Sequence, residues 1–117
     1  MDISIKATGH ELTDETRGLV ENKFKKLEKL AGIGATLACE IEESIAAVRA
    51  GGRYRAEGNL SVNGKLFRAE ATHETLEGAL DRVRDELAQE IKKARGRERG
   101  LLRRGGQRVK GWLRFGP

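Results

Sequence analysis

The chain has little of what builds disulfide frameworks, metal centres or membrane segments. It contains one cysteine and two histidines in 117 residues. The lone Cys39 excludes an internal disulfide framework and fits a reducing cytoplasm, and neither His10 nor His73 stands at metal-ligand spacing from it. No apolar run approaches the roughly 18 residues of a membrane helix, and the opening MDISIKA lacks a signal-peptide pattern. These absences predict a cytoplasmic protein that holds no metal and spans no membrane.

Catalytic motifs are missing as well. The sequence has no phosphate-binding P-loop and no Gly-x-Gly-x-x-Gly after a strand. Cys39 alternates with polar residues on the inward side of a predicted strand, which is typical of a small buried hydrophobe rather than a nucleophile. We therefore expect no enzymatic activity, no cofactor and no small-molecule substrate.

Positive charge is abundant and concentrated at one end. The formal net charge of the whole chain is +5, yet residues 95–117 alone carry +7, which leaves the preceding 94 residues at −2. A basic extension on a nearly neutral domain indicates an acidic polymer or surface as partner. Nucleic acid is the commonest such partner, and an anionic membrane is the alternative. Six glycines in this segment predict that residues 98–117 form a flexible tail, disordered when free.

Hydrophobic periodicity predicts two helices. The first follows Thr13, a suitable N-cap, and ends at Gly32 and Gly34. The second begins at Thr75 and ends near Arg97. Their apolar stripes are Thr16, Leu19, Val20, Phe24, Leu27, Leu30 and Ala31 in the first helix, and Leu76, Leu80, Val83, Leu87, Ile91 and Ala94 in the second.

Period-two alternation predicts four strands around these helices, near residues 3–7, 37–42, 54–62 and 65–71. The run from Ile45 to Val48 could continue the second strand or bend away from it. Asn63-Gly64 predicts a two-residue type I′ turn, because both residues tolerate positive φ. That turn pairs Val62 with Lys65 and sets the register of the last hairpin, with small residues on the side where a helix could approach closely.

The expected fold is α+β: a single β-α-β-β-β-α domain over residues 1–97, followed by the tail. A four-stranded mixed sheet carries two parallel helices on one face, since the first crossover is right-handed and the other connections are hairpins. The C-terminal ends of the two helices then meet at one edge of the molecule. Each end is rich in lysine and arginine, and the tail leaves from the same place. Cations favour helix C-termini in any case through the macrodipole, but the convergence of both clusters and the tail predicts a nucleic-acid interface.

Three stretches also resemble a known family, the ribosome hibernation promoting factor / ribosome-associated inhibitor A family. They are TGHELTDETRGLVENKFKKLEKL, LSVNGKLFRAEA and ALDRVRDELAQEIKKAR, which occur in the family's order over about residues 1–97. The resemblance implies a domain distantly like double-stranded RNA-binding domains that binds the small ribosomal subunit in the messenger and transfer RNA channel and silences idle ribosomes. One departure is Glu77, where the family commonly has an aromatic residue.

The candidate RNA contacts combine this resemblance with the charge clusters. The resemblance carries Arg17, Lys23 and Lys26 in the first helix, and Lys92 and Lys93 in the second. The full candidate set is Arg17, Lys23, Lys26, Lys29, Arg82, Lys92, Lys93, Arg95 and Arg97 in the domain, with Arg103, Arg104, Arg108, Lys110 and Arg114 in the tail. Within the tail, Trp112 and Phe115 are available to stack on bases.

The expected partner is therefore the ribosome, through small-subunit rRNA. The resemblance stops before the C-terminal dimerisation domain of long family members, so the chain is expected to be a short form or the N-terminal part of a longer protein. It is expected to be a monomer unless such a domain is missing. Two other functions stay open at this stage: a general double-stranded RNA-binding module, and a basic-tailed adaptor for protein or membrane partners.

Overall fold

Seven elements follow one another along the chain in the order β-α-β-α-β-β-α. The computed structural model describes the backbone of residues 1–115 and the side chains of residues 1–100. The elements are β1 (Asp2–Thr8), α1 (Asp14–Ala31), β2 (Thr36–Glu43), α2 (Ile45–Arg49), β3 (Tyr54–Val62), β4 (Lys65–His73) and α3 (Leu76–Phe115). Apart from the short α2, this is the predicted order of strands and helices.

The four strands form one mixed sheet in the order β1-β2-β3-β4. β1 pairs with β2 in parallel, as expected for strands joined by a helix, and the other two pairs are antiparallel. Leu60 lies opposite Phe67 and Gly58 opposite Ala69, so the predicted hairpin register is confirmed. β1 and β4 are the two edges of the sheet.

The turn that sets this register has the predicted backbone. Asn63 has φ of 49° and Gly64 has φ of 80°, so both central residues lie in the left-handed region. That region suits a type I′ turn, whose twist matches the twist of the two strands that it joins.

Threonine hydroxyls cap the N-termini of both long helices, at the two positions that the sequence predicts. Thr13 Oγ1 accepts the backbone N–H of Thr16 at 3.1 Å, and Thr75 Oγ1 accepts that of Gly78 at 3.0 Å. Each bond satisfies one amide that a helix start leaves without an intrahelical partner. At the other end of α1, Gly32 has φ of 96° and its N–H bonds to the Glu28 carbonyl, which closes the helix.

The run after β2 bends away from the sheet and forms α2. Ser44 caps this helix, because its Oγ accepts the N–H of Ala47 at 3.1 Å. Ala47 is buried, whereas Ile45 and Val48 are exposed. The connection from β2 to β3 is therefore a short helix and turn, which settles the alternative that the sequence left open.

Both long helices pack on one face of the sheet and share a single core. Gly58 shows how closely α3 approaches the strands: a Cβ at this position would lie 2.9 Å from Val83 Cγ1 and 3.1 Å from Leu87 Cδ1. The predicted close approach over small strand residues is thus confirmed. The largest fully buried side chains are Phe24, Leu27, Leu37, Ile41, Leu60, Leu80, Leu87 and Ile91.

α3 continues past its predicted end near Arg97, and its backbone is helical to Phe115. The predicted division into a domain over residues 1–97 and a flexible tail over 98–117 rests mainly on residues 101–117. Their side chains lie outside the described part of the chain, so the boundary stays a prediction.

Candidate nucleic-acid interface

α1 and α3 run parallel and form a groove between the C-terminal half of α1 and residues 84–99 of α3. Contacts between the helices advance along both in the same direction, from Lys23 with Asp81 to Leu30 with Arg95. The groove is lined by Lys26, Leu27, Lys29, Leu30, Arg84, Asp85, Ala88 and Lys92, and continues past Leu30 along Lys92, Arg95, Glu98 and Arg99. Its floor is apolar and its rims are mainly basic, which suits a ligand that brings negative charge.

Several of these cations have no acidic partner. Within residues 1–100, Lys26, Lys29, Lys92 and Arg99 form no salt bridge. Carboxylates neutralise Arg53, Arg55 and Arg68 on the sheet, whereas these four cations are not neutralised, so their positive charge adds up along the groove. Both rims of the groove therefore carry cations without an acidic partner among residues 1–100.

Lys23 differs from its neighbours because it is already paired. Its Nζ lies 2.9 Å from an Asp81 carboxylate oxygen, and its side chain is only 20% exposed. Lys23 and then Arg84 hold the pKa of Asp81 below its usual value. The predicted RNA contact at Lys23 therefore coincides with an ion pair that joins the two helices, and reversal of its charge would disturb the fold as well as the groove.

Arg95 also serves the fold. Its guanidinium donates to the backbone carbonyl of Leu30, one of the last carbonyls of α1. Such carbonyls lack an intrahelical partner and carry the negative end of the helix dipole. Arg95 thus ties the C-terminal end of α1 to the middle of α3, and part of its hydrogen-bonding capacity is already used.

The structure does not bring all predicted contacts into the groove. Arg82 donates to the Thr72 carbonyl at the end of β4, and Lys93 lies 3.6 Å from Glu90. At 100° per residue, these two and Arg97 fall on the flank of α3 away from α1. Arg17 is exposed in the first turns of α1 and lines neither part of the groove. These four residues lie beside the groove and do not line it, and their contacts with RNA stay predictions.

Two groove residues were missed by the sequence reasoning. Arg84 and Arg99 line the groove with Lys92 and Arg95, but neither was a candidate contact. The signal was available, because positions 84, 88, 92, 95 and 99 recur at spacings of four, four, three and four, which is one face of a helix. What the spacing did not show is that this face lies beside α1.

The opposite face of the sheet is charged but internally neutralised. Glu57, whose side chain is 9% exposed, lies 2.8 Å from Arg55 and 2.9 Å from Arg68. Arg55 also contacts Glu70 at 2.8 Å and Glu42 at 3.9 Å. Hydrogen bonds from Arg55 hold the pKa values of Glu57 and Glu70 below their usual range. This network of ion pairs is rich in carboxylates and does not attract a polyanion. The helical side of the molecule, which carries the groove, is therefore the side suited to nucleic acid.

The remaining predictions concern the Cys39 thiol, metal sites, membrane helices and the tail. Burial raises the pKa of the Cys39 thiol to about 12, which leaves it inert. Within residues 1–100 no group of three or more His, Cys, Asp or Glu side chains could hold a metal ion, and no helix among the described residues is long and apolar enough to cross a membrane. The predicted tail contacts Arg103, Arg104, Arg108, Lys110 and Arg114 lie outside the described side chains.

Comparisons with known proteins supply an independent finding. Residues 3–99 match the protein family described as sigma 54 modulation protein / S30EA ribosomal protein. The solved N-terminal domain of Protein Y from Thermus thermophilus is 26% identical, with 80% of this chain and 98% of that chain covered and a TM-score of 0.67. A ribosomal subunit interface protein from Coxiella burnetii has a TM-score of 0.65 with 82% and 99% covered, but at 14% identity it shows the fold alone. A search of curated protein sequences found no match.

Proposed function

Since the chain belongs to the sigma 54 modulation protein / S30EA ribosomal protein family, we propose that it binds the small ribosomal subunit and silences translation on idle ribosomes. The activity is binding alone, without a chemical step, and it takes place in the cytoplasm. The matched family is itself described as a ribosomal protein family, which supports the ribosome as the partner here.

The observation that carries this proposal is the groove with unpaired cations on both rims. Lys26 and Lys29 stand on the α1 rim and Lys92 on the α3 rim, with Leu27 and Ala88 between them. A strand of rRNA in the groove would place phosphates against the lysines, while riboses contact the apolar floor. Phosphate contacts of this kind position a protein on RNA without reading sequence, which fits a factor that recognises one site by its shape.

We assign the other cations supporting roles. Lys23 and Arg95 keep the two rims at a fixed separation, because each joins α1 to α3. Arg17, Arg82, Lys93 and Arg97 flank the groove and would reach neighbouring strands of the messenger and transfer RNA channel. One copy occupies one small subunit in this arrangement. The tail then acts as an electrostatic arm, in which Arg103, Arg104, Arg108, Lys110 and Arg114 contact phosphate.

A charge reversal on both rims tests the groove. Lys26→Glu with Lys92→Glu changes the charge by −4 at two exposed positions that form no salt bridge within the described residues. Each lost phosphate contact flattens the log–log salt dependence of binding by about 0.7–0.9, so the slope should drop by roughly 1.4–1.8. The measurement is affinity for isolated small subunits at several salt concentrations, together with inhibition of cell-free translation.

The matched control is Lys93→Glu with Arg97→Glu, which carries the same change of charge on the opposite flank of α3. It should weaken binding less and leave most of the inhibition in place. If both variants lose the same affinity, general attraction rather than the groove governs binding. Undiminished inhibition by the folded groove variant would remove the groove from the mechanism.

Truncation after Gly100 tests the tail. The shortened chain keeps Glu98, which pairs with Lys65 of β4, so α3 stays fastened to the sheet. If the arm makes about half of its five possible contacts, the salt slope should drop by roughly 1.8–2.3 while weaker binding at the same site persists. Equal slopes for the full and shortened chains would show that the tail makes no contact.

The same preparations distinguish the other two functions. Excess structured RNA should compete poorly with small subunits if the ribosome is the specific partner, and effectively if the protein is a general double-stranded RNA-binding module. An adaptor for proteins or membranes would keep its partner after nuclease treatment of the lysate, whereas ribosome association should be lost.

A further inference from the structure

β1 presents an open edge of the sheet. Asp2 donates its N–H to the Ala35 carbonyl at 3.1 Å, and β1 and β2 keep an unbroken parallel register from Asp2 to Thr8. In a parallel pair alternate residues bond to the neighbouring strand, so the N–H and C=O groups of Ile3, Ile5 and Ala7 point to the free edge. The strand contains neither proline nor a bulge, two common devices that protect an edge from pairing.

The side chains beside this edge are incompletely covered. Ile3, Ile5 and Ala7 lie on the core side of the sheet but are only half-buried. An open groove separates β1 from α1 and is lined by Met1, Ile3, Gly18, Glu21, Asn22, Lys25 and Glu28. Gly18 lies inside α1, where glycine is destabilising by about 1 kcal/mol relative to alanine, and a Cβ there would meet nothing within 4 Å. No contact within the described domain requires this glycine, whereas a neighbouring backbone would fit beside it.

We propose that this edge pairs with β1 of a second copy, so that two sheets join into one continuous eight-stranded sheet. A two-fold arrangement centred on Ile5 pairs all seven residues of the strand. It places Ile5 opposite Ile5 of the second copy and Ile3 opposite Ala7, which are the residues whose backbone groups face outward. Centring the axis on Lys6 instead would set two lysines opposite each other, which is unfavourable.

Charge complementarity favours a second copy of this chain as the partner at the free edge of β1. On the open face of the joined sheet, Asp2 lies diagonally from Lys6 of the second copy, and the symmetry produces this contact twice. The Lys6 ammonium also lies 3.7 Å from Glu40 of its own chain, but the Lys6 side chain is 74% exposed and can contact a second carboxylate. Diagonal neighbours across an antiparallel pair are about 7–8 Å apart, within reach of a lysine side chain. On the other face only apolar side chains meet. The strand thus carries both halves of the complementary pattern itself, as an isologous interface requires.

The joined sheet leaves the RNA groove free. The two-fold axis is perpendicular to the sheet, so both helix layers lie on the same side, and the two basic grooves lie at opposite ends. A seven-residue strand pair buries less than the roughly 1,200 Å² of a standard interface, so the association is weak and appears only at high protein concentration. It is a state of the free protein, separate from the single-copy ribosome binding proposed above.

Amide hydrogen exchange of the full chain tests the pairing residue by residue. At low concentration the amides of Ser4 and Lys6 should be protected by β2, while those of Ile3, Ile5 and Ala7 exchange rapidly. Raising the protein concentration should slow exchange only at Ile3, Ile5 and Ala7. The slowing should parallel the rise in average mass measured by sedimentation equilibrium. Exchange at Ile5 that is independent of concentration, with a constant monomer mass, would overturn the proposal.

Two variants add controls. Ile5→Pro removes an amide that faces the free edge, where proline is tolerated, and should weaken the association at least about tenfold by removing both bonds at the axis. Asp2→Lys should weaken it about 3- to 30-fold through its two symmetric contacts, and Asp2→Lys with Lys6→Asp should restore it. Lys6→Asp alone is the control, because it also removes the ion pair between Lys6 and Glu40 within one chain. A double variant that associates no better than either single variant, with its fold intact by circular dichroism, would show that the partner strand is not β1 in this register.

Discussion

Gly58→Ala measures how tightly α3 is packed against the sheet. A Cβ at this position would lie 2.9 Å from Val83 Cγ1, 3.1 Å from Leu87 Cδ1 and 3.5 Å from Leu37 Cδ1. Overpacking of a core typically costs about 1–3 kcal/mol. Against this, replacing glycine by alanine in a compatible backbone stabilises by about 0.4–1 kcal/mol through the unfolded chain, and Gly58 does not adopt positive φ. We expect the packing conflict to prevail, with a net loss of roughly 0.5–2 kcal/mol.

In a Val83→Ala background, the stability change caused by Gly58→Ala should reverse its sign. Val83→Ala removes the atom that lies closest to the added Cβ, at a cost of about 2–3 kcal/mol for two buried methyl groups and the space they leave. In that background Gly58→Ala should be neutral or stabilising by up to about 1 kcal/mol. The double variant should therefore be more stable than additivity predicts by about 1–2 kcal/mol.

The assay is urea unfolding followed by circular dichroism for the wild type, both single variants and the double variant. Equal m-values across the four proteins would confirm that only stability has changed. Additive effects, or a Gly58→Ala variant more stable than the wild type, would refute the close approach of α3 at this point.

Three further predictions use the same unfolding assay. Leu87→Ala should destabilise the protein by roughly 2–5 kcal/mol as a fully buried large-to-small change, and a loss under about 0.5 kcal/mol would contradict the packing of α3. Lys23→Glu should be clearly more destabilising than Lys26→Glu, because only Lys23 faces the Asp81 carboxylate at 2.9 Å, and equal losses would remove that ion pair as a helix tether. The pKa of Glu57 is lowered in the folded state from its usual 4.5, so its contribution is present above about pH 5 and disappears as the pH falls below the unfolded value. Glu57→Gln should therefore narrow the stability difference between pH 6 and pH 3, and an unchanged difference would show that Glu57 is not linked to acid unfolding.

Much of the fold could be predicted because its determinants are local. Asn63-Gly64 accepts positive φ at both positions, and that single turn aligned β3 with β4 along their whole length. Thr13 and Thr75 cap the two long helices through hydroxyl groups that act within three residues. Helical periodicity and strand alternation then predicted which face of each long helix and strand is turned to the core, since burial follows the repeat of the backbone.

The end of α3 illustrates the limit of that approach. Glycines and a loss of apolar periodicity predicted that the helix ends near Arg97, but its backbone continues to Phe115. Helix propensity is a weak guide where the helical and the irregular backbone differ in free energy by only a few tenths of a kcal/mol per residue. The sequence leaves the run after β2 open for the same reason. The Ser44 cap and the burial of Ala47 stabilise a helix there.

The sequence alone is enough to predict the element order, the hairpin register, the two apolar stripes and the clustering of lysine and arginine toward the C-terminus. Which cations lie together depends on how α1 packs beside α3, and the tertiary structure is needed to show it. Lys26, Lys29 and Lys92 share a groove, Lys23 is taken by Asp81, and Lys93 faces away. The reason is physical: charge and periodicity are properties of one chain segment, whereas pairing and exposure depend on which face of a neighbouring helix lies alongside, and packing alone fixes that.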